Sequence, residues 1–485
     1  MQTPSSHAAI GIFAFTVACT FVASWLGRRH TRPSAGHGLS DQGLNRWLVG
    51  LSAGAASTSG FVITGLVGMG YVLGVHALLF TFGWLIGDLF FWWIFPQRIN
   101  RVARETSAAT LTDIVTHGLT PRSRAITKRL VGLLVLACLG GYVSAQWLAG
   151  EIFLQGAFGF GALTSLLSFA ALIIVYTALG GFRGSIYTDS LQAVIRGVAT
   201  AVVLTALFLI ARNHQHSFWT NIAHAGPTFL ALAPSGAWLT ATFMLGWAVG
   251  AFGFDLGEPH IVTRFMAGDS PAETQAAWWI FIGFVQYTQI SMILFGVFLR
   301  GLLPHIPDPE SGLSVFFHTY AGPVLTGIVV ADIFTTIAAT SNSILVTMAQ
   351  TAAYDLLLRP SQDQDPKILW PATVVAGLAT MVFATTLQPR IASIVLTVIS
   401  LMASGLAPAM LARVLHWKRT GLSVIASVLT GVAAALCWIQ VGLSGYMNEA
   451  LPGILCGVLV ERLIAAADSR MNATKASHSA TQPHL

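Results

Sequence analysis

The chain has 485 residues, 54% of them hydrophobic and 9% charged, with a mean hydropathy of +0.70. A soluble domain carries roughly 25% charged residues, so this composition excludes one and requires a polytopic membrane protein. The net charge of +6 is spread between apolar segments instead of gathered in a stripe, which reads as membrane topology and not as nucleic-acid binding.

The first apolar run, near residues 8–27, is followed by Arg28, Arg29 and Arg32 and preceded by no charge. A signal peptide has the opposite polarity, so the run reads as an uncleaved first helix with its N-terminus outside. Further spans of about 20 residues fit near 48–70, 76–96, 130–155, 162–180, 189–211, 237–256, 275–299, 322–352, 369–387, 392–412, 420–441 and 450–467. The fold class expected is therefore all-α and integral to the membrane, with about 13 transmembrane helices. Roughly 21 of the 25 basic residues then fall on one side, which the positive-inside rule makes cytoplasmic. This predicts a multi-pass protein of the cell (inner) membrane with its N-terminus outside and its C-terminus inside. Cys19, Cys138, Cys437 and Cys456 all lie in apolar segments without metal-ligand spacing, so neither a disulfide framework nor a zinc site is expected.

Two of these spans carry glycine and polar residues at mid-depth. The segment Gly50–Gly60 (GLSAGAASTSG) is the first, and Gly250–Gly257 (GAFGFDLG) is the second. Irregular backbone in hydrocarbon is tolerable only where it lines a cavity or is covered by protein, and transporters keep their binding sites at such breaks. On the topology above, the two broken helices enter from opposite sides, as inverted repeats require. The expected organisation is an extra helix and loop at 1–47, a first repeat at 48–211, an external loop at 212–236, a second repeat at 237–415, extra helices at 416–467 and a disordered cytoplasmic tail at 468–485. The external loops 212–236 and 300–321 read as spacers, with a lid as the alternative.

Four blocks of residues carry a resemblance to the solute:sodium symporter family, which includes the bacterial sodium/proline symporters. They are Gly50–Ala55 with Ser59 and Gly60; Gly180, Gly181 and Phe182 followed by Thr188, Asp189 and Gln192; Gly257–His260 with Arg264–Ala267; and Ile337–Leu345. The resemblance extends from the first helix to about residue 420. It implies a leucine-transporter-type core of five plus five helices and sodium-coupled symport of a small solute. By position it implies a sodium site made from the carbonyls of Ala55, Thr58 and Thr336 and from residues 339 and 340. Here those last two are Ala339 and Thr340, so one hydroxyl is missing; a one-residue slip would restore a pair as Thr340 and Ser341, with Ser343 a turn away.

Ser57 stands where the family usually carries an aspartate, and Asp255 stands where a family member has an aromatic substrate contact. The neighbouring tryptophan contact becomes Ala251. Tyr142 matches a substrate-pocket tyrosine, with Gln146 one turn on. Together with Ser57, Ser59 and Pro259, these residues form the expected solute site. Ionisable groups inside a bilayer are functional candidates by default. Asp255 is open to three roles: pairing with a cationic group of the solute, replacing the missing ion ligand, or carrying a proton; a structural partnership is the alternative. Asp332 lies about two turns before Ala339 and is a second coupling candidate. Asp88, Glu151 and Arg196 are weaker ones. Asp189 reads as a helix-start cap or gate, and Glu258–His260 as a hinge.

The function expected is sodium-driven symport of an amino acid or amine-bearing compound by alternating access. Alternatives are proton-coupled or uncoupled import and a transporter-like receptor without net flux. No cofactor beyond the coupling ion, no nucleic acid and no obligatory protein partner is expected. The chain shows no nucleophile with its base, no metal cluster and no phosphate loop, so it does not read as an enzyme.

Overall fold

The computed structural model describes residues 7–30, 42–234, 236–360, 366–387 and 391–480. Among them, the only β pairing is an isolated bridge between Leu44 and Gly268, and everything else regular is helical. Arg32, Arg390 and the last five residues lie outside the described residues.

In chain order the helices are α1 (His7–Arg29), α2 (Arg46–Ser57), α3 (Gly60–Leu73), α4 (Leu78–Ile94), α5 (Pro96–Thr106), α6 (Leu111–Thr116) and α7 (Pro121–Phe158). Then come α8 (Ala162–Asn213), α9 (Gln215–His224), α10 (Ala237–Gly257), α11 (Pro259–Met266), α12 (Pro271–Ala276) and α13 (Trp278–Leu302). The chain closes with α14 (Gly312–Tyr320), α15 (Pro323–Thr351), α16 (Pro366–Ala384), α17 (Ile391–Val414), α18 (Gly421–Gln440) and α19 (Ala450–Ala480).

Among the described residues, eleven stretches are long and apolar enough to cross a membrane. Two of them are interrupted at a glycine with positive φ. The 52 residues of α8 would run about 78 Å if straight, against a hydrocarbon core of about 30 Å, and Gly181 (φ 61°, ψ −158°) interrupts them. The 35-residue stretch Gly60–Ile94 is turned at Gly74 (φ 69°), where an added Cβ would lie 2.0 Å from the Phe229 carbonyl oxygen. Each of the two stretches thus holds a pair of spans, as the hydropathy reading expects.

The bundle is sorted by burial. The α15 span is 78% buried and forms the centre, whereas α1 is 28% buried and faces outward. Close approach relies on glycine. A Cβ on Gly70 of α3 would meet the Ile293 carbonyl of α13 at 2.2 Å, and one on Gly296 of α13 would meet the Val67 carbonyl of α3 at 2.1 Å. In lipid such small-residue contacts are what let helix backbones pack.

Three expectations need correction. The helix α19 runs on to Ala480, across most of the stretch expected to be a disordered tail. Its continuation holds no Gly or Pro, and extending an existing helix avoids the nucleation cost. The region 212–236 is more than a spacer: α9 docks on the end of α13, with Asn221 Nδ2 donating to the Gly301 carbonyl (2.8 Å). Asp189 lies inside α8, eight residues past the Gly181 kink, and not at a helix start.

Candidate solute and cation site

The first break occupies Thr58 and Ser59, between α2 and α3. Its cause is side-chain competition for backbone groups. Ser57 Oγ donates to the Gly54 carbonyl (2.9 Å), and Thr58 Oγ1 donates to the carbonyls of Gly54 (2.8 Å) and Ala55 (3.3 Å). Ser59 is extended and caps α3 by accepting from Phe61 N (3.2 Å). From α7, Gln146 Oε1 accepts from Gly60 N (2.8 Å), satisfying a second donor at the new helix start.

The second break lies at Glu258, not within Gly250–Gly257, which is helical throughout as the end of α10. Glu258 takes an extended conformation (φ −88°, ψ 108°) ahead of Pro259, the first residue of α11. The glycines before each break serve packing instead. A Cβ on Gly50 would meet Ile280 at 2.7 Å, and one on Gly253 would meet Ile454 at 2.5 Å and Ala403 at 2.8 Å.

The breaks converge. Thr340 Oγ1 of α15 donates to the Ala56 carbonyl (3.1 Å), and the buried His260 ring lies beside that same carbonyl. His260 stands edge-on to Tyr142 of α7, with ring centroids 6.0 Å apart, and its Nδ1 is 3.4 Å from Glu258 Oε2. The Tyr142 hydroxyl lies beside Ser59. Among the described residues, the Tyr142 hydroxyl and both Glu258 oxygens have no hydrogen-bond partner, although all three atoms are buried. Such orphaned groups in a dry interior are expensive unless something else satisfies them. Glu258 and His260 are missing from the sequence-derived site; their signal was present as charge and imidazole at mid-span, beside a proline read only as a hinge.

Asp255 is fully buried on α10, against Asp88 of α4 with Gln286 of α13 alongside. The two carboxyls face each other with the Gln286 amide in reach, and no cationic side chain meets either of them among the described residues. Ala251 packs toward α4, where a Cβ on Gly87 would meet its methyl at 2.7 Å.

The expected cation ligands line the contact between α2, α8 and α15. Ala55, Ala193 and Ala339 form a small apolar cluster bordered by Leu51 and Phe284, so Ala339 presents a methyl where the resemblance implies a hydroxyl. The Thr58 carbonyl accepts from Arg196 Nη1 of α8 (3.0 Å). Thr336 Oγ1 donates to the Asp332 carbonyl (2.8 Å), and Ser341 Oγ turns back to the Ile337 carbonyl (2.7 Å), so both hydroxyls of the slipped Thr340–Ser341 pair donate to backbone carbonyls. Ser343 belongs to a neighbouring network: its Oγ donates to Asp189 Oδ2 (3.0 Å) and accepts from Arg264 Nη2 (2.7 Å).

Two helix breaks meeting inside an apolar bundle, around polar groups left without partners, define a secondary transporter. The chain belongs to the sodium:solute symporter family, whose profile matches residues 39–424. It is 24% identical to the high-affinity proline transporter PutP of Bacillus subtilis over 467 residues, covering 93% of each chain. It is 25% identical to a sodium/proline symporter of Staphylococcus aureus over 452 residues, 88% of this chain and 86% of that one. Its fold is similar to that of a sodium-coupled sialic acid symporter (TM-score 0.78, 17% identity, 96% of this chain and 98% of that one). Mhp1, a nucleobase-cation-symport-1 family transporter, follows at a TM-score of 0.58 with 12% identity, over 92% and 96% of the two chains. The core is thus of the leucine-transporter type. The protein is a multi-pass membrane transporter and not an enzyme, and its general activity is sodium-coupled secondary transport of a small organic solute by alternating access.

Proposed function

We propose that the solute is a small compound bearing an amine or another cationic group, such as an amino acid, and that it binds where the two breaks meet. The observation that carries this reading is a set of three buried carboxyl groups, the facing pair Asp88 and Asp255 and, at the second break, Glu258, none of which meets a lysine or arginine among the described residues. A carboxylate withdrawn from water calls for a cation or a proton. The solute would lie among Ser57, Ser59, Tyr142, Gln146, Asp255 and Pro259, with Glu258 and His260 added from the geometry. Sodium would sit between α2 and α15 on the carbonyls of Ala55, Thr58 and Thr336 and the Thr340 hydroxyl. Oxygen atoms of that kind suit a hard cation without adding charge. The proposed orientation is N-terminus out and C-terminus in, with inverted repeats at 48–211 and 237–415, supported by the distribution of basic residues.

Uptake into proteoliposomes under an imposed sodium gradient tests this, with a panel of amine-bearing solutes set against neutral sugars. The expected result is sodium-dependent uptake of a cationic or zwitterionic compound, with KM raised about tenfold or more in Asp255→Asn. Uptake of neutral solutes alone, unaffected by that substitution, would overturn the assignment.

A further inference from the structure

Past the Gly181 kink, α8 runs antiparallel to α15 in a fixed register. Asp189 meets Ser343, Ala193 meets Ala339, and Thr200 Oγ1 donates to Asp332 Oδ2 (3.1 Å). In each pair, moving along α8 moves the partner back along α15 by the same number of residues. Arg196, between Ala193 and Thr200, therefore comes level with Thr336, a residue whose carbonyl is a proposed sodium ligand.

The guanidinium is where that register puts it. Arg196 is 2% exposed, its Nη1 holds the carbonyl of Thr58, and its Cζ lies 5.8 Å from the ring centre of Phe284, which borders the Ala55–Ala339 cluster. Its Nε and Nη2 have no partner among the described residues, and neither does Asp332 Oδ1, although Asp332 is the nearby opposite charge on α15. The cation thus rests on a neutral backbone oxygen of the first break without closing an ion pair with the carboxylate beside it. An arginine stays charged in a protein, and in this dry setting it seeks either oxygen.

We propose that Arg196 is a tethered cation that contests the Thr58 carbonyl with sodium, and that Asp332 is its alternative seat when sodium binds. This rests on the sodium site given under Proposed function. With sodium absent, Arg196 holds the end of α2. With sodium bound, repulsion between two cations sharing one carbonyl moves the guanidinium to Asp332, which links ion occupancy at the first break to the α8–α15 contact. Competition for the Thr58 carbonyl accounts for a guanidinium buried at this level, opposite a carboxylate with which it forms no ion pair.

The test is a sodium titration of the purified protein, read as thermal stability at constant ionic strength with choline replacing sodium, so that no solute is needed. Arg196→Met, which removes the competitor, is expected to lower the half-saturating sodium concentration about tenfold or more. Arg196→Lys keeps a tethered charge and should stay near the wild-type value. Asp332→Asn removes the alternative seat and should raise the sodium concentration required; it also serves as the independent variant if Arg196→Met does not fold. A sodium shift in the wild type that is unchanged in Arg196→Met, or unchanged in Asp332→Asn where Met does not fold, overturns the inference and leaves the sodium site standing. A sodium shift seen only in Arg196→Met supports it. No sodium-specific shift in any of these proteins overturns the sodium site itself, and the inference with it.

Discussion

Arg264 and Asp189 form an ion pair that is fully buried, with Arg264 Nη2 3.1 Å from Asp189 Oδ2. Three hydroxyls complete it: Ser52 of α2 and Ser343 of α15 donate to the same carboxylate oxygen, and Ser185 of α8 accepts from Arg264. Asn342 Nδ2 donates to the other oxygen, Oδ1 (3.1 Å). One cluster therefore ties α2, α8, α11 and α15 together beside both breaks. Alternating access requires these elements to separate in part, so this junction is a point where motion must be resisted and then released.

Removing one partner of a buried pair leaves an uncompensated charge, which costs about 3–5 kcal/mol. Asp189→Asn is therefore expected to lower the thermal unfolding midpoint in detergent markedly. Replacing both residues, as Asp189→Asn with Arg264→Gln, should recover part of that loss because no charge is left stranded. A single variant as stable as the wild type would show that the pair is not the tie described.

The crossing of α3 and α13 makes a sharper prediction, because α13 contains its own control. A Cβ on Gly296 would lie 2.1 Å from a backbone oxygen, which no rotamer change relieves, whereas a Cβ on Gly283 meets nothing within 4 Å. Gly296→Leu should abolish a monodisperse peak on size-exclusion chromatography. Gly283→Ala should behave as the wild type, or slightly better, since Ala favours helix over Gly by about 1 kcal/mol.

Much of this was legible in the sequence because lipid imposes strong rules. Apolar runs of spanning length located the helices, and Gly50–Gly60 marked the first break to within a few residues. The second break was misplaced because a glycine-rich helix and an unwound segment look alike in composition. Gly250, Gly253 and Gly257 are spent on packing, and it is Pro259 that sets the break by forcing Glu258 extended. The roles of Glu258, His260 and Arg196 were illegible for a different reason. Each depends on residues from other helices, on Tyr142 and Ala56 in the first two cases and on Thr58 and Asp332 in the third, and helix register between distant segments is not written in local periodicity.

Ala339 offers a gain-of-function test of the proposed sodium site. Its methyl packs against Ala55 and Ala193, one residue from the Thr340 hydroxyl that already reaches the Ala56 carbonyl. Ala339→Ser adds one oxygen at that level and little volume. If a cation binds there, the half-saturating sodium concentration for uptake should fall about threefold to tenfold, since each added hard ligand strengthens the site. A variant with unchanged sodium dependence and reduced stability would place the ion elsewhere.

Outside the spans, Asp113 gives a pH prediction. It sits on α6, in a capping box with Thr110, and ties that short helix to α7 through Lys128 Nζ at 2.6 Å and Arg124 Nη2 at 3.3 Å. Burial works against its ionisation, but the Lys128 charge and hydrogen bond, the Ala109 backbone N–H and Arg124 together outweigh burial and hold the carboxyl below its ordinary value. A carboxyl whose folded-state pKa is depressed stabilises the fold above its unfolded pKa of about 3.9, and that contribution fades as pH falls through the lower folded value. The thermal midpoint with Asp113 in place should therefore exceed that of Asp113→Asn by a constant margin between about pH 7 and pH 5, with the gap closing below about pH 4. The comparison is made in an Asp355→Asn background, because Asp355 lies 3.4 Å from Lys128 and shares that lysine with Asp113. A gap that widens on acidification would reverse the sign of the linkage and rule out this assignment.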